Sequence, residues 1–88
     1  MDCSSTLGCC TGGFYDSAFE WLTTHYLMSE ESYPYSTSCT CKYEESKAFT
    51  NIKVSGYVDV TPNSVAALQA AVAMQPISVV IEADSLTF

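Results

Sequence analysis

Five cysteines and one histidine are the residues of this 88-residue chain whose side chains do nucleophilic or acid–base chemistry near neutral pH. The cysteines occupy positions 3, 9, 10, 39 and 41, and the histidine is His25. A catalytic thiol needs a partner that holds it as the thiolate, and no local motif places His25 beside a cysteine. We therefore interpret His25 as a surface or partly packed side chain and expect no Cys–His dyad.

The same cysteines allow three other interpretations: a metal site, free reactive thiols, or structural disulfides. The spacings C-x5-C-C and C-x-C lack the C-x-x-C pairs of structural zinc sites, so we expect no metal and no other cofactor. Five cysteines in 88 residues are dense for a reducing compartment and ordinary for an oxidising one. Disulfides are favoured, and the odd count leaves one thiol free or paired outside the chain.

Charge and composition exclude several classes of protein. Ten acidic residues against three basic ones give a net charge of −7, which disfavours binding to nucleic acid or to an anionic membrane surface. A hydrophobic content of 48% with 12% aromatic residues excludes a disordered tail. No apolar run reaches the roughly 20 residues of a membrane-spanning helix. The first residues lack the basic and apolar regions of a signal peptide. We expect neither nucleic acid nor membrane as a partner.

Apolar spacing predicts two helices. Residues recurring every three and four positions predict the first helix over residues 16–26, with Asp16 at its N-cap or in its first turn. The second is predicted near residues 64–74, where Pro62 falls at the start and Pro76 prevents continuation.

The remaining segments predict strands and one long loop, in an α+β fold. Alternating and β-branched residues predict strands over 52–60 and 77–83, in one sheet and connected by the second helix. The apolar face of that helix, Val65, Leu68 and Val72, is expected to be buried against the sheet. Residues 29–51 show no period, so we predict an irregular segment pinned by its cysteines.

Five short segments, in order along the chain, resemble the papain-like cysteine proteases, in the family's motifs D-C-S, G-C-N-G-G with A-F, S-Y-P-Y, C-x-Y and A-V-A-x-Q-P-V-S-V-x-I-E-A. The matching residues are Asp2-Cys3-Ser4, Cys10-Thr11-Gly12-Gly13 with Ala18-Phe19, Glu31-Ser32-Tyr33-Pro34-Tyr35, Cys41-Lys42-Tyr43, and Ala70-Ala71-Val72-Ala73 with 75–83 and Phe88. Together they span essentially the whole chain at family-like spacing.

The resemblance implies that the catalytic groups lie outside this chain. In the family the nucleophilic cysteine lies upstream in a C-G-S-C-W segment, after a glutamine that helps to build the oxyanion hole. The histidine follows in an N-H-A-V-like segment, and the orienting asparagine comes later. None of these segments occurs here. The resemblance implies an internal piece of the mature domain with a partial papain-like fold: residues 1–51 from the helical left lobe and 52–88 from the start of the barrel-like right lobe.

The resemblance also implies a pairing of the cysteines. Cys3 matches a family cysteine that pairs with the one at Cys41, and Cys10 matches one whose partner lies beside the nucleophile, outside this chain. Cys9 and Cys39 have no counterpart in the usual pattern. Each lies one or two positions from a member of the Cys3–Cys41 bridge or its loop, so an additional Cys9–Cys39 bridge is also expected.

Six positions match substrate-binding residues of the family. The backbone at Gly13 would form strand-like hydrogen bonds with the substrate two residues before the scissile bond; the alternative is a plain turn before a helix. Thr11 replaces the usual asparagine of this loop. Tyr33, Pro34 and Tyr35 we interpret as packing and turn residues. Phe14 and Tyr15 are expected to form one wall of the main specificity pocket, and Val80 and Ala83 the opposite wall. The expected substrate-binding residues are therefore Gly12, Gly13, Phe14, Tyr15, Val80 and Ala83.

The resemblance therefore implies an internal fragment of a papain-like cysteine endopeptidase that is inactive by itself. Its expected partners are the remainder of the protease chain, peptide substrates and cystatin-like inhibitors, in a lysosomal, vacuolar or secreted setting. The alternative is a truncated, non-catalytic homologue that acts as a binding or inhibitory module. The flanking coding sequence distinguishes the two.

Overall fold

The computed structural model of the chain describes residues 1–84 and Leu86. The chain divides into two compact units, Met1–Tyr57 and Val58–Phe88. The first contains helix α1, Tyr15–Leu22, and a single 3₁₀ turn, Glu45–Lys47; the second contains helix α2, Val65–Val72. The predicted lobes, residues 1–51 and 52–88, stay a prediction. Phe88, one of the residues that carry the family resemblance, lies outside the described residues.

Helix α1 confirms the first predicted helix but ends four residues early. Asp16 lies in its first turn, where a carboxylate is favoured by the helix dipole, and Phe14 occupies the N-cap without a side-chain bond. The helix ends because the hydroxyls of Thr23 and Thr24 donate to the carbonyl oxygens of Glu20 and Trp21, at 2.6 and 3.1 Å. Threonine hydroxyls compete in this way with continued helical bonding, a local effect that apolar spacing does not report.

Helix α2 confirms the second predicted helix. Ser64 is its N-cap, and its Oγ accepts a 3.1 Å hydrogen bond from the Ala67 backbone N–H. This bond satisfies one of the donors that a helix leaves unpaired at its start. The apolar face of α2 is not buried, however: Val65, Leu68 and Val72 are all exposed. The expectation that this face packs on a sheet is wrong.

The two predicted strands are absent from the described part of the chain. Residues 52–60 and 77–83 have irregular backbone, and the β pairing described in residues 1–84 is one antiparallel bridge between Gly8 and Gly12. A strand exists only where a second backbone offers hydrogen-bond partners, and neither segment has one here. Side-chain alternation predicts which residues share a face but not whether a partner strand is present. For the described residues, the α+β prediction therefore reduces to two helices.

The first unit is organised by disulfides around a small apolar centre. Among the described residues, Leu7 is the one hydrophobic residue that is buried. The irregular segment after α1 is pinned to the N-terminal loop, as predicted, by two disulfides, Cys3–Cys41 and Cys9–Cys39, with Cα atoms 4.7 and 5.5 Å apart. With so little buried apolar surface, these covalent links hold together segments far apart in sequence.

Candidate functional site

A five-residue loop, residues 8–12, carries two of the cysteines in front of α1. Its ends are joined by two backbone hydrogen bonds, from Gly8 N–H to Gly12 O at 2.8 Å and from Gly12 N–H to Gly8 O at 3.0 Å. The φ angle of Gly12 is 84°, in the left-handed region that side chains disfavour. The bridge and this glycine therefore set how the chain enters Gly13 and α1.

Gly13 lies two residues before α1, outside any helix or strand, and its backbone is unpaired. Within the part of the chain that the structure describes, neither its N–H nor its carbonyl oxygen forms a hydrogen bond. A Cβ atom at this position would collide with the side chain of Leu7, the buried centre of the unit. A glycine here lets Leu7 pack closely and leaves an exposed backbone donor and acceptor together.

The predicted pocket residues fall into two groups. Phe14 and Tyr15 follow Gly13 at the start of α1, with 79% and 46% of their surfaces exposed. Val80 and Ala83 lie in the irregular chain of the second unit and are also exposed. Gly12, Gly13 and the two aromatic residues are thus adjacent on one loop and helix start. The pocket that would combine both groups stays a prediction.

The structure forms the Cys3–Cys41 pair that the resemblance implies and the additional Cys9–Cys39 pair, and it leaves Cys10 as an exposed free thiol. The Sγ atom of Cys10 lies 3.6 Å from that of Cys9 and 3.7 Å from that of Cys39. These three sulfur atoms converge within 4.8 Å, the spacing of a metal site. Because two of them share a disulfide, one thiolate is left as a ligand, too few for a structural zinc site.

Tyr33 joins the N-terminus to the irregular segment beside the Cys3–Cys41 disulfide. Its hydroxyl donates to Asp2 Oδ2 at 2.8 Å and accepts from the Lys42 backbone N–H at 3.0 Å. Burial raises the pKa of the Tyr33 hydroxyl above its ordinary value; the Lys42 N–H lowers that pKa, and the Asp2 carboxylate raises it further. The interpretation of Tyr33 as a packing residue missed this network. Its signal in the sequence is the acidic residue directly before Cys3, since Lys42 contributes only a backbone N–H.

His25 is partly packed and makes no contact with a thiol. Its ring stacks on Trp21 with centroids 3.8 Å apart and meets Tyr43 edge-on. Its Nδ1 lies 3.1 Å from the Trp21 carbonyl oxygen, a distance at which the ring N–H donates to that carbonyl. These contacts account for the partly packed position of His25, three residues after α1 ends.

An open groove of about 310 Å³ lies along the inner face of α1 in the first unit. Its apolar lining includes Leu7, Trp21, Leu22, Tyr26, Leu27 and Tyr43. In the described residues, neither helix has the length and apolar content to cross a membrane.

Comparison with known proteins identifies relatives over the whole chain. The family model described as papain family cysteine protease matches residues 1–88. The chain is 39% identical over 92 residues to the senescence-specific cysteine protease SAG12 of Arabidopsis thaliana and 37% identical over 92 residues to the thiol protease SEN102 of Hemerocallis sp.. It is 34% identical over 93 residues to cysteine proteinase 3 of Dictyostelium discoideum.

Each of these alignments covers 100% of this chain and 25 to 27% of the relative. The chain therefore spans about a quarter of the length of the curated relatives that it matches. No solved structure matches it.

Proposed function

The chain belongs to the papain family of cysteine proteases, and on that premise we propose that it supplies the substrate-binding part of a cysteine endopeptidase while other segments supply the catalytic groups. The parent protein would hydrolyse peptide bonds by attack of a thiolate on the substrate carbonyl carbon. This chain would hold the substrate backbone and part of one side-chain pocket, in a partial papain-like fold with residues 1–51 in the helical lobe and 52–88 in the barrel-like lobe.

The observation that carries the proposal is the unpaired backbone of Gly13. An extended peptide binds to a protein edge through backbone N–H and C=O groups that are exposed and not already used. Gly13 offers one of each, and the neighbouring Gly12 has no side chain to obstruct an approaching backbone. Gly13 is itself exposed, so these groups are accessible to a second backbone.

The aromatic residues after Gly13 support the pocket assignment. Beside the proposed backbone site, Phe14 exposes most of its surface and Tyr15 nearly half. A substrate side chain next to the paired backbone would meet these rings, and the Tyr15 hydroxyl would add a polar group to the pocket. Val80 and Ala83 are proposed for the opposite wall on the family resemblance.

The state of the ionisable groups supports a non-catalytic role for this chain alone. Acyl transfer requires an activated nucleophile, a base and an oxyanion hole. The His25 ring is stacked on Trp21, its Nδ1 lies 3.1 Å from the Trp21 carbonyl oxygen, and none of its described hydrogen bonds is to a cysteine, so no Cys–His pair is formed here. We therefore propose that the thiolate, imidazole and oxyanion donors come from the remainder of the protease chain.

Two features of the first unit support a covering partner from that remainder. The apolar groove along α1 is open, and Cys10 has an exposed free thiol. A further segment of the protease would bury the groove lining, and a cysteine in it would pair with Cys10. The disulfides support an oxidising location, vacuolar, lysosomal or secreted. Cystatin-like inhibitors would compete with substrate for the same exposed backbone.

The proposal is tested in the full-length protease with a pair of substrates that differ in one atom. In the second substrate, an ester oxygen replaces the backbone N–H two residues before the scissile bond, at the residue that would pair with Gly13. One lost hydrogen bond is worth about 1 kcal/mol, so kcat/KM is expected to fall about fivefold. Equal kcat/KM for the two substrates would contradict pairing at Gly13.

A matched pair of variants isolates the position. Gly13→Ala places a methyl group against Leu7 and is expected to lower kcat/KM, whereas a Cβ at Gly56 meets nothing within 4 Å, so Gly56→Ala serves as the control. Titration of active sites with a thiol-directed epoxide normalises each rate to correctly folded enzyme. Full activity per titrated site in Gly13→Ala, with an unchanged effect of the ester, would reject the assignment.

A further inference from the structure

The free thiol of this chain lies against one of its disulfides. Cys10 Sγ is 3.6 Å from Cys9 Sγ and 3.7 Å from Cys39 Sγ, and the latter two are bonded to each other. Cys10 and Cys39 are exposed, in an open loop and in the irregular segment. A thiol and a disulfide therefore meet at the surface without any contribution from another molecule.

We propose that Cys9, Cys10 and Cys39 form a thiol–disulfide exchange site, in which Cys39 pairs alternately with Cys9 and with Cys10. The Cys10 thiolate attacks Cys39 Sγ; the Cys10–Cys39 bond forms while the Cys9–Cys39 bond breaks. Cys9 leaves as a thiolate and takes up the proton that Cys10 released to solvent. One disulfide and one thiol exist before and after the step, so it needs no oxidant or reductant.

Geometry directs the exchange to Cys39 rather than to Cys9. Cys9 and Cys10 are consecutive, and the peptide bond between them is trans, which places their Cα atoms about 3.8 Å apart. Disulfides usually span Cα distances of about 4.4 to 6.8 Å. A bond between the adjacent cysteines would therefore distort the loop, whereas Cys39 already bonds a residue of this loop across a Cα distance of 5.5 Å.

The step requires the Cys10 side chain to swing from beside the Cys9–Cys39 bond to a position in line with it. Attack on a disulfide proceeds along the extension of the S–S bond, and Cys10 Sγ lies beside that bond, nearly equidistant from its two sulfur atoms. Exposed side chains change rotamer within picoseconds to nanoseconds. The chemical step itself, set by the fraction of thiolate, then limits the rate.

The exchange goes beyond substrate binding because it decides which cysteine of the loop is free. Before exchange the free thiol is Cys10, and after it the free thiol is Cys9. Both line a groove of about 530 Å³ whose lining includes the carboxylates of Asp2 and Glu30. The loop therefore offers a cysteine outside this chain two alternative bonding positions, reached through the same acidic groove.

The test follows the free thiol of the oxidised 88-residue chain over time. Samples held at pH 8 without reductant are mixed with excess N-ethylmaleimide, a neutral reagent that the groove carboxylates do not repel. Fragmentation mass spectrometry under non-reducing conditions then locates the label. We expect label on both Cys9 and Cys10, with Cys39 bridged throughout and a rate independent of protein concentration. Label confined to Cys10 at every time, or a rate that rises with concentration, would overturn the proposal.

Two variants and one internal control make the result decisive. With oxidised glutathione as oxidant, Cys9→Ser is expected to form the Cys10–Cys39 disulfide; two free thiols in this variant would show that Cys10 does not reach Cys39. Cys10→Ser is expected to retain Cys9–Cys39 and take no label. Cys3–Cys41 should remain intact in every sample, and its exchange with the other cysteines would mean general scrambling, which contradicts a local site.

Discussion

The hydroxyl of Tyr33 donates a 2.8 Å hydrogen bond to the carboxylate of Asp2, across 31 positions of sequence. Asp2 precedes Cys3, and the Lys42 N–H that donates to the same hydroxyl follows Cys41. The Tyr33 network and the Cys3–Cys41 disulfide therefore hold the same junction, one by hydrogen bonds and the other covalently.

Tyr33→Phe is expected to lower the free energy of unfolding of the first unit by about 1 to 2 kcal/mol. The substitution keeps the ring but leaves a carboxylate and a backbone N–H without their shared partner, in a half-buried position. Urea unfolding of the oxidised chain measures the change. Tyr35→Phe is the matched control because Tyr35 is 86% exposed. Equal unfolding midpoints for the two variants would contradict a structural role for the Tyr33 hydroxyl.

Stability should also depend on pH through Tyr33. Its pKa is raised in the folded state, by burial first, so the folded chain holds this proton where the unfolded chain has lost it. The contribution to stability is complete below the ordinary tyrosine pKa of about 10 and is lost as pH rises through the folded pKa. Unfolding midpoints above pH 10 should therefore fall more steeply for the wild-type chain than for Tyr33→Phe. Parallel curves would exclude this linkage.

The same residue predicts an optical signature. In an ultraviolet titration of the folded chain, one of the six tyrosines should ionise later than the others. The late component should disappear in Tyr33→Phe and remain in Tyr35→Phe. A late component that survives in Tyr33→Phe would assign it to another tyrosine.

The Cys9–Cys39 disulfide lies within the loop that Cys3–Cys41 closes. The stabilisation by the two disulfides together should therefore differ from the sum expected for two independent loops. Alone, a bridge across the 38-residue separation of Cys3 and Cys41 is worth about 4 kcal/mol in the chain-entropy model. With the Cys9–Cys39 bridge in place, however, the same two residues are already connected through about eight residues, and the value falls to about 2.5 kcal/mol.

Serine substitution of either pair is therefore expected to cost about 2.5 kcal/mol, and substitution of both pairs about 6 kcal/mol. Guanidinium unfolding of the three variants measures these losses, with Cys10→Ser as the control that removes a cysteine but no bridge. A loss near 4 kcal/mol for each single pair would indicate that the two loops close independently.

The 88-residue chain is expected to hydrolyse no peptide substrate. Its histidine is packed on Trp21, and the segments that carry the family's catalytic groups are not in its sequence. A fluorogenic peptide assay, with the full-length protease as positive control, measures turnover. Activity of the purified chain that a thiol-directed epoxide blocks would show that it contains a working nucleophile.

Local features of this protein could be predicted from the order of its residues. Both helices follow from apolar spacing, and α2 begins at Ser64 because a serine there satisfies a backbone donor. The family follows from five motifs in order, and with it the Cys3–Cys41 pair; the Cys9–Cys39 pair is expected from the positions of the two cysteines beside that bridge and its loop. These features depend on interactions within a few residues, or on a pattern shared with relatives.

Other features depend on where distant segments meet. Residues 52–60 and 77–83 have strand-like side chains, yet they form no strand in the structure because a strand requires hydrogen bonds to a second backbone, which composition does not supply. The helix face of Val65, Leu68 and Val72 is exposed for the same reason. Conversely, the contact of Cys10 with the Cys9–Cys39 disulfide arises only once the chain has folded. Spacing in sequence limits which groups approach each other, but their distances are set by the packing of the whole unit.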